Sequence, residues 1–127
     1  MPRQTRGPLS ATRSADGAYC PDAGDIIWID FNPQAGNEQA MRRPALVLSP
    51  RAYNARLELC ILCPITNQKK GYPFESEVPA ACTTTGVVLS DHVKSLSWSA
   101  RRSKFIEKAP AALVDDVKAK IAALLGF

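Results

Sequence analysis

The chain has 127 residues, of which 46% are hydrophobic and 22% are charged, and its formal net charge is +4. These values are typical of one globular domain with a full hydrophobic core, and they exclude a disordered or low-complexity protein. No apolar run approaches the ~20 residues that span a bilayer, and the N-terminal segment lacks the apolar centre of a secretory signal. We therefore expect a cytoplasmic protein that does not associate with membranes.

The first part of the chain differs in composition from the rest. Residues 1–22 mix Arg, Ser, Thr, Gly and Pro without periodicity, which predicts a flexible N-terminal arm, followed by a folded domain over residues 23–127. In that domain, segments rich in β-branched and apolar residues recur about every ten residues, separated by Gly and Pro, as in a small barrel or sandwich. The predicted strands are 26–31, 45–49, 58–65, 74–78, 86–90, 93–98 and 104–108, with a short helical turn at 50–56.

The C-terminal segment changes its hydrophobic period. Apolar residues recur there at spacings of three and four, which places them on one helical stripe. They are Leu113, Val114, Val117, Ile121, Leu124 and Leu125. Pro110 suits the first turn and Gly126 can end the helix. The pattern predicts an amphipathic C-terminal helix.

Four cysteines raise the question of a disulfide or metal site. Cys60 and Cys63 have C-x-x-C spacing, whereas Cys20 and Cys82 stand alone. The pair lies in a predicted strand, where residues three apart point to opposite faces and cannot share one metal ion. A zinc site would also need a second ligand pair at a suitable spacing. We expect buried structural thiols and no metal site.

Charge is concentrated around one loop and the region that follows it. The stretch GNEQAMRRP, residues 36–44, joins two predicted strands and is longer than a two-residue hairpin turn. From residue 42 to residue 70 there are six basic residues and one acid, Glu58. Such a surface favours a polyanionic ligand, although a solvated charged face explains the same charges equally well.

Few catalytic arrangements are compatible with the residues present. The single histidine, His92, excludes a two-histidine acid and base pair within one subunit, and no G-x-S-x-G motif is present. His92 and its neighbour Asp91 fit a structural position beside a strand at least as well as a catalytic one. What remains is Glu38 with Arg43 in one loop, which could also be a plain surface ion pair, and Thr66 before a basic loop.

Three blocks of the sequence resemble one known family. GDIIWIDFNPQAGNEQAMRRPALVLSP, CPITNQKKGYPFE and GVVLSDHVKSLSWSAR are similar, in order and spacing, to the MazF/PemK endoribonuclease toxins of bacterial toxin–antitoxin pairs. The resemblance implies a mainly β fold with a C-terminal helix, a compact SH3-like barrel of the CcdB/PemK/MazF type. It also implies a homodimer that cuts single-stranded mRNA at specific sequences by 2'-hydroxyl attack, without metal or cofactor. A cognate antitoxin would bind it through an acidic, disordered segment.

The resemblance also implies site residues. The family pattern E-Q-x-x-x-R-P matches Glu38, Gln39, Arg43 and Pro44, and its strand-end threonine matches Thr66. Glu38 would accept the 2'-hydroxyl proton, Arg43 would bind phosphate and stabilise the transition state or act as acid, and Thr66 would donate to a phosphate oxygen. The loops after Phe31 and Ile65 also carry the expected RNA contacts. The expected base contacts are Asn32, Gln39, Asn67, Gln68 and Tyr72, and the expected phosphate contacts are Arg42, Lys69 and Lys70.

Some assignments stay open at the level of sequence. Some relatives carry His in place of Arg42 or Arg in place of Leu89, so the proton donor is not assigned. Among the aromatic residues, Trp28 is expected in the core, whereas Tyr72 fits a base contact in its turn beside two lysines. Two other functions fit the same barrel: a noncatalytic, CcdB-like gyrase-binding toxin, and an RNA-binding barrel that does not cleave.

Overall fold

The computed structural model describes residues 19–31 and 41–127. Its elements in chain order are β1 (Asp25–Asp30), β2 (Arg42–Val47), α1 (Arg51–Leu57), β3 (Leu59–Thr66), β4 (Glu75–Glu77), β5 (Val87–Leu89), a 3-10 turn (Ser90–His92), β6 (Lys94–Ser97), β7 (Lys104–Lys108) and α2 (Ala111–Leu125). None of the helices in these two ranges is long and apolar enough to cross a membrane.

The strands form a mainly antiparallel sheet in the order β4-β5-β3-β2-β1-β7. The long strand β3 has β2 on one side, and its other side pairs first with β6 and then with β5. The sheet and the C-terminal helix agree with the expected fold class. The described strands follow an open path from β4 to β7, so barrel closure stays a prediction.

The core consists of two clusters on opposite faces of the central strands. Ile26, Leu46 and Cys63 pack in one cluster with Leu113 and Val117 of α2. The other cluster is formed by Cys20, Ile27, Ile29, Ala45, Val47, Cys60, Leu62 and Trp98. This division follows from the alternation of side chains along each strand.

The two cysteines of the C-x-x-C pair therefore lie in different clusters. Strand alternation predicts this separation, and both residues are fully buried free thiols, as expected. Burial raises the pKa of Cys60 to about 12 and that of Cys63 to about 12. Because both thiols stay protonated at neutral pH, they behave as small core residues rather than as ligands or nucleophiles.

The C-terminal helix begins and ends as its sequence predicts. Pro110 precedes its first residue, and Gly126 adopts φ +83° just after its last. Leu113 and Val117 are buried in the core. Lys120 fixes the helix to β4, because its ammonium group donates to the Glu75 carbonyl at 2.9 Å and to Ser76 Oγ at 3.1 Å.

Packing begins earlier in the chain than expected. Cys20 is fully buried, and the Tyr19 hydroxyl donates to Asp25 Oδ2 at 2.6 Å. Asp25 is itself buried and pairs with Lys108 Nζ at 2.6 Å. Residues 19–22 thus belong to the packed fold and not to the predicted arm. Residues 1–18, the rest of that arm, lie outside the described residues.

The prediction that Trp28 fills the core is wrong. Its side chain is 38% exposed, on the same face of β1 as the buried Ile26. The cluster beneath α2 includes Ile26 but not Trp28, so the helix covers only one end of this face. The other tryptophan, Trp98, is buried, and its indole N–H donates to the Asn54 carbonyl at 3.0 Å.

Candidate active site

One cavity brings together the two expected catalytic residues that the structure describes. Arg43 lies at the start of β2 and Thr66 at the end of β3, and because these strands run antiparallel, both residues lie at the same end of the sheet. They line a cavity of about 210 Å³ together with Gln68, Lys70, Tyr72, Glu75, Leu89 and His92. Glu38, the expected proton acceptor, lies outside the described residues.

The end of β3 orients the Thr66 hydroxyl. Thr66 Oγ1 accepts a hydrogen bond from the Gln68 backbone N–H at 3.1 Å. The hydroxyl proton of Thr66 is therefore available to a ligand in the cavity. The backbone here is held by close contact with Gly86, where a Cβ would lie 2.4 Å from the Thr66 carbonyl oxygen. Gly86 also has φ +118°, which favours glycine.

Arg42 and Arg43 have different surroundings, because consecutive strand residues point to opposite faces. Arg43 faces the cavity, whereas Arg42 Nη1 contacts Asp30 Oδ1 at 2.9 Å. Arg102 Nε contacts the other oxygen of Asp30 at 2.7 Å. Hydrogen bonds from Arg102 and then from Arg42 lower the pKa of Asp30 despite its burial. Arg42, an expected phosphate contact, thus has a structural carboxylate partner.

A carboxylate organises the basic loop that follows Thr66. Glu75 accepts hydrogen bonds from the backbone N–H groups of Lys70 and Gly71, both at 2.8 Å. Lys70 lines the cavity, but the neighbouring Lys69 pairs with Glu77 at 2.6 Å on the exposed surface. The two lysines expected to contact phosphate together are therefore in different environments.

Tyr72 and His92 of the 3-10 turn form another part of the cavity lining. The Tyr72 hydroxyl donates to Asp91 Oδ1 at 3.0 Å. Burial and this hydrogen bond raise the pKa of Tyr72, so its phenol stays protonated at neutral pH. His92 Nε2 lies 4.0 Å from the same Asp91 oxygen, and His92 lines the cavity.

The position of His92 was not apparent in the sequence. The signal that places it there is the antiparallel pairing of Thr66 with Val87 and of Ile65 with Val88, which brings the short strand β5 and the turn that follows it beside the last residues of β3. Glu75 and Leu89, two further lining residues, arrive through the same pairing, because Glu75 of β4 is opposite Leu89 of β5. This strand order cannot be derived from local sequence patterns.

The polar residues expected to contact bases do not all line the first cavity, because Asn67 lines a second one. It measures about 260 Å³ and is lined by Trp28, Pro44, Asn67, Thr83, Thr84, Thr85 and Ile106. Asn67 Oδ1 accepts a hydrogen bond from the Thr85 hydroxyl at 3.0 Å. Asn67 and Gln68 thus line different cavities. Asn32 and Gln39, the other expected base contacts, lie outside the described residues.

A single carboxylate orders the loop that forms one wall of this second cavity. Glu107 accepts four hydrogen bonds from the backbone N–H and hydroxyl groups of Thr83 and Thr84, at 2.7 to 3.0 Å. Although burial of Glu107 raises its pKa, these hydrogen bonds outweigh that effect and lower the pKa overall. The ionised carboxylate therefore holds the loop in place.

The first cavity has the chemical groups needed to bind a phosphate. Arg43 and Lys70 supply positive charge, Thr66 supplies a hydroxyl donor, and His92 supplies an imidazole. A guanidinium group can hold two phosphate oxygens at once and stays charged at any physiological pH. The carboxylate of Glu75 is held by two backbone N–H groups. The arrangement can bind an anion and stabilise additional negative charge on it.

Comparison with known proteins identifies the family. Residues 22–125 match the family described as PemK-like, MazF-like toxin of type II toxin-antitoxin system. The chain is 50% identical over 109 residues to the endoribonuclease toxin MazF of Escherichia coli K12, with 85% of this chain and 96% of that protein covered. It is 28% identical over 109 residues to the endoribonuclease PemK of Escherichia coli, with coverage of 82% and 81%.

Solved structures give the same result. A MazF crystal structure from Deinococcus radiodurans is 51% identical, with a TM-score of 0.79 and coverage of 86% of this chain and 99% of that one. A MazE-MazF crystal structure from the same organism is also 51% identical, with a TM-score of 0.81 and coverage of 86% and 98%. The fold and the sequence therefore agree on one family over most of the chain.

Proposed function

Because the chain belongs to the PemK-like, MazF-like family of type II toxin–antitoxin toxins, we propose that it is the toxin of such a pair and that it cleaves single-stranded mRNA at specific sequences. It is an endoribonuclease, like the relatives that are half identical to it. The observation that carries the assignment is the cavity shared by Arg43, Thr66 and Lys70. A noncatalytic gyrase binder or RNA-binding barrel is not favoured, because such a protein has no need of this constellation.

The proposed chemistry begins with the ribose 2'-hydroxyl as nucleophile. Glu38 removes its proton, and the 2'-oxygen attacks the neighbouring phosphorus. Negative charge accumulates on the phosphate oxygens in the transition state, where Arg43 donates from its guanidinium fork and Thr66 from its hydroxyl. The bond to the 5'-oxygen then breaks, leaving a cyclic phosphate and a 5'-hydroxyl. These steps need no metal ion, and we propose that the enzyme is metal-independent.

Recognition of the RNA is proposed to divide between charge and base contacts. Lys70 and Arg43 bind phosphates and set affinity, whereas Asn67, Gln68 and Tyr72 contact unpaired bases. The residues Asn32 and Gln39 of the preceding loop complete the base-reading set. Arg42 and Lys69 contribute less than expected from the sequence, because each already has a carboxylate partner at 2.9 Å and 2.6 Å respectively.

We further propose a cytoplasmic homodimer of SH3-like barrels, regulated by an acidic antitoxin segment that folds on the basic surface. The support is family membership and the MazE-MazF complex among its structural relatives. Sedimentation of the purified chain, alone and with its antitoxin, tests both points. Full activity from a species that stays monomeric at micromolar concentration would contradict the dimer.

The decisive experiment compares wild type with Arg43→Ala on a long single-stranded RNA in excess chelator. We expect wild type to cut and the variant to lose about 10²–10³-fold in rate, because a transition-state donor is gone. Arg56→Ala is the matched control, since Arg56 is an exposed arginine on α1 outside the cavity. Intact RNA with folded wild type, or full activity of folded Arg43→Ala, would overturn the proposal.

A further inference from the structure

We propose that His92 is the general acid that protonates the leaving 5'-oxygen during RNA cleavage. This inference rests on the proposed function and adds the one group that the proposed chemistry lacks. His92 lines the same cavity as Arg43 and Thr66, and its side chain is 48% exposed. A phosphate held between Arg43 and Thr66 would share this cavity of about 210 Å³ with the imidazole.

The other groups around the cavity are unsuited to giving up a proton at neutral pH. Arginine stays protonated far above neutrality, so Arg43 stabilises charge but is a poor acid. Burial and Asp91 raise the pKa of Tyr72, whose hydroxyl already donates to that carboxylate. Glu75 is an acceptor for two backbone N–H groups. Among the described side chains that line the cavity, only histidine ordinarily titrates near neutral pH, where a general acid is most effective.

Charged groups of both signs lie near His92. Asp91 Oδ1 lies 4.0 Å from His92 Nε2, and the Tyr72 hydroxyl holds that carboxylate at 3.0 Å. Arg43 and Lys70 face the same cavity and carry positive charge. From α2, which packs against the 3-10 turn, Asp116 and Lys120 are paired with each other at 2.8 Å and so add little net charge.

The proton balance of the step is simple. A general base takes the 2'-hydroxyl proton as the 2'-oxygen forms its bond to phosphorus. The bond between phosphorus and the 5'-oxygen breaks, and its electron pair stays on that oxygen. The imidazolium of His92 gives its proton to the 5'-oxygen, which leaves as a neutral hydroxyl. Solvent then returns one proton to the imidazole and removes one from the base.

Replacement of the leaving oxygen by sulfur distinguishes a general acid from a residue with a structural role. The cut site is first identified by sequencing the ends of a cleaved RNA, and two short oligonucleotides are then made, with oxygen or sulfur at the bridging 5' position. A thiolate leaves without protonation, so the sulfur substrate does not need an acid. Single-turnover rates are measured for wild type and for His92→Gln, which keeps a polar side chain but has no transferable proton.

We expect His92→Gln to cut the oxygen substrate about 10²-fold more slowly than wild type, and the sulfur substrate within about threefold of it. Ser95→Ala, an exposed position on the adjacent strand β6, should match wild type on both. Equal losses on both substrates, or no loss on either, would overturn the role of His92 while leaving the proposed function intact. Failure of folded wild type to cut either substrate would instead overturn the proposed function.

Discussion

At the residue scale, ion pairs determine which basic side chains are available in the cavity. In each of two neighbouring pairs, one side chain is bound to a carboxylate and the other faces the cavity. Arg42 and Lys69 are each paired, with Asp30 and Glu77, whereas their neighbours Arg43 and Lys70 face the cavity. The sequence places four basic residues near the site but cannot tell these two pairs apart. Strand alternation separates the two arginines, and the carboxylates that pair with Arg42 and Lys69 lie 12 and 8 residues away in the sequence.

Lys70 and Lys69 form a matched pair for testing phosphate contact. We expect Lys70→Ala to weaken binding to single-stranded RNA and to reduce the slope of log K against log salt by about 0.7, the value for one lost phosphate contact. Lys69→Ala should change the slope much less, because the ammonium group of Lys69 already forms an ion pair with Glu77.

The measurement is fluorescence anisotropy at several salt concentrations, with an oligonucleotide that carries deoxyribose at the cut site and cannot be cleaved. Removal of the 2'-hydroxyl keeps binding separate from chemistry. A larger change of slope for Lys69→Ala than for Lys70→Ala would reverse the assignment of the two lysines.

At the element scale, the site is built by the contact between the end of β3 and the start of β5. We expect Gly86→Ala to destabilise the protein by at least about 2 kcal/mol, because the new methyl group would meet the Thr66 carbonyl and the backbone has positive φ. Gly71→Ala is the control: it shares positive φ, at +83°, but no atom of the described residues lies within 4 Å of its Cβ position. Its cost should be about 1 kcal/mol, from strain alone.

Urea unfolding measures the loss of stability in both variants. The cleavage rate of the folded fraction shows whether the substitution has displaced Thr66. We expect Gly86→Ala to lower that rate and Gly71→Ala to change it little. Similar stabilities and rates for the two variants would mean that the contact of Gly86 with Thr66 does not hold the site.

The predicted elements agree closely with the observed ones except at β2. The sequence predicts this strand from residue 45, whereas Arg42, Arg43 and Pro44 lack strand character and proline is rare in central strands. It begins at Arg42, since residues 42–44 pair with β1 and the ladder to β3 starts at Ala45. Proline is tolerated there because this part of β2 lacks a partner on the β3 side within the described chain. Tertiary pairing thus overrides local propensity.

At the scale of the whole molecule, stability should depend on the buried carboxylate that joins β1, β2 and the Arg102 turn. The pKa of Asp30 is lowered by hydrogen bonds from Arg102 and Arg42, although burial opposes this effect. Above about pH 4, the ordinary carboxyl value, Asp30 is ionised in both the folded and the unfolded chain, and its contribution is complete. As pH falls below that value the unfolded state binds the proton first, so the contribution is lost.

We therefore expect Asp30→Asn to cost about 1–2 kcal/mol at neutral pH and progressively less below about pH 4. The estimate is modest because the Arg102 side chain is largely exposed. Asp115→Asn, an exposed aspartate on α2, should stay within about 0.5 kcal/mol of wild type. Urea unfolding across this pH range gives the comparison, and a difference that does not shrink in acid would contradict the assignment.

Because Cys60 and Cys63 lie in separate clusters, the reactivity of each thiol can report on the opening of one layer of the core. A thiol reagent reaches either sulfur only when the layer around it opens, because both side chains are fully buried. Variants that retain one of these two cysteines and replace the others would make alkylation rates specific to a single layer. The ratio of the two rates would then reveal whether the layer beneath α2 opens alone or only when the whole domain unfolds.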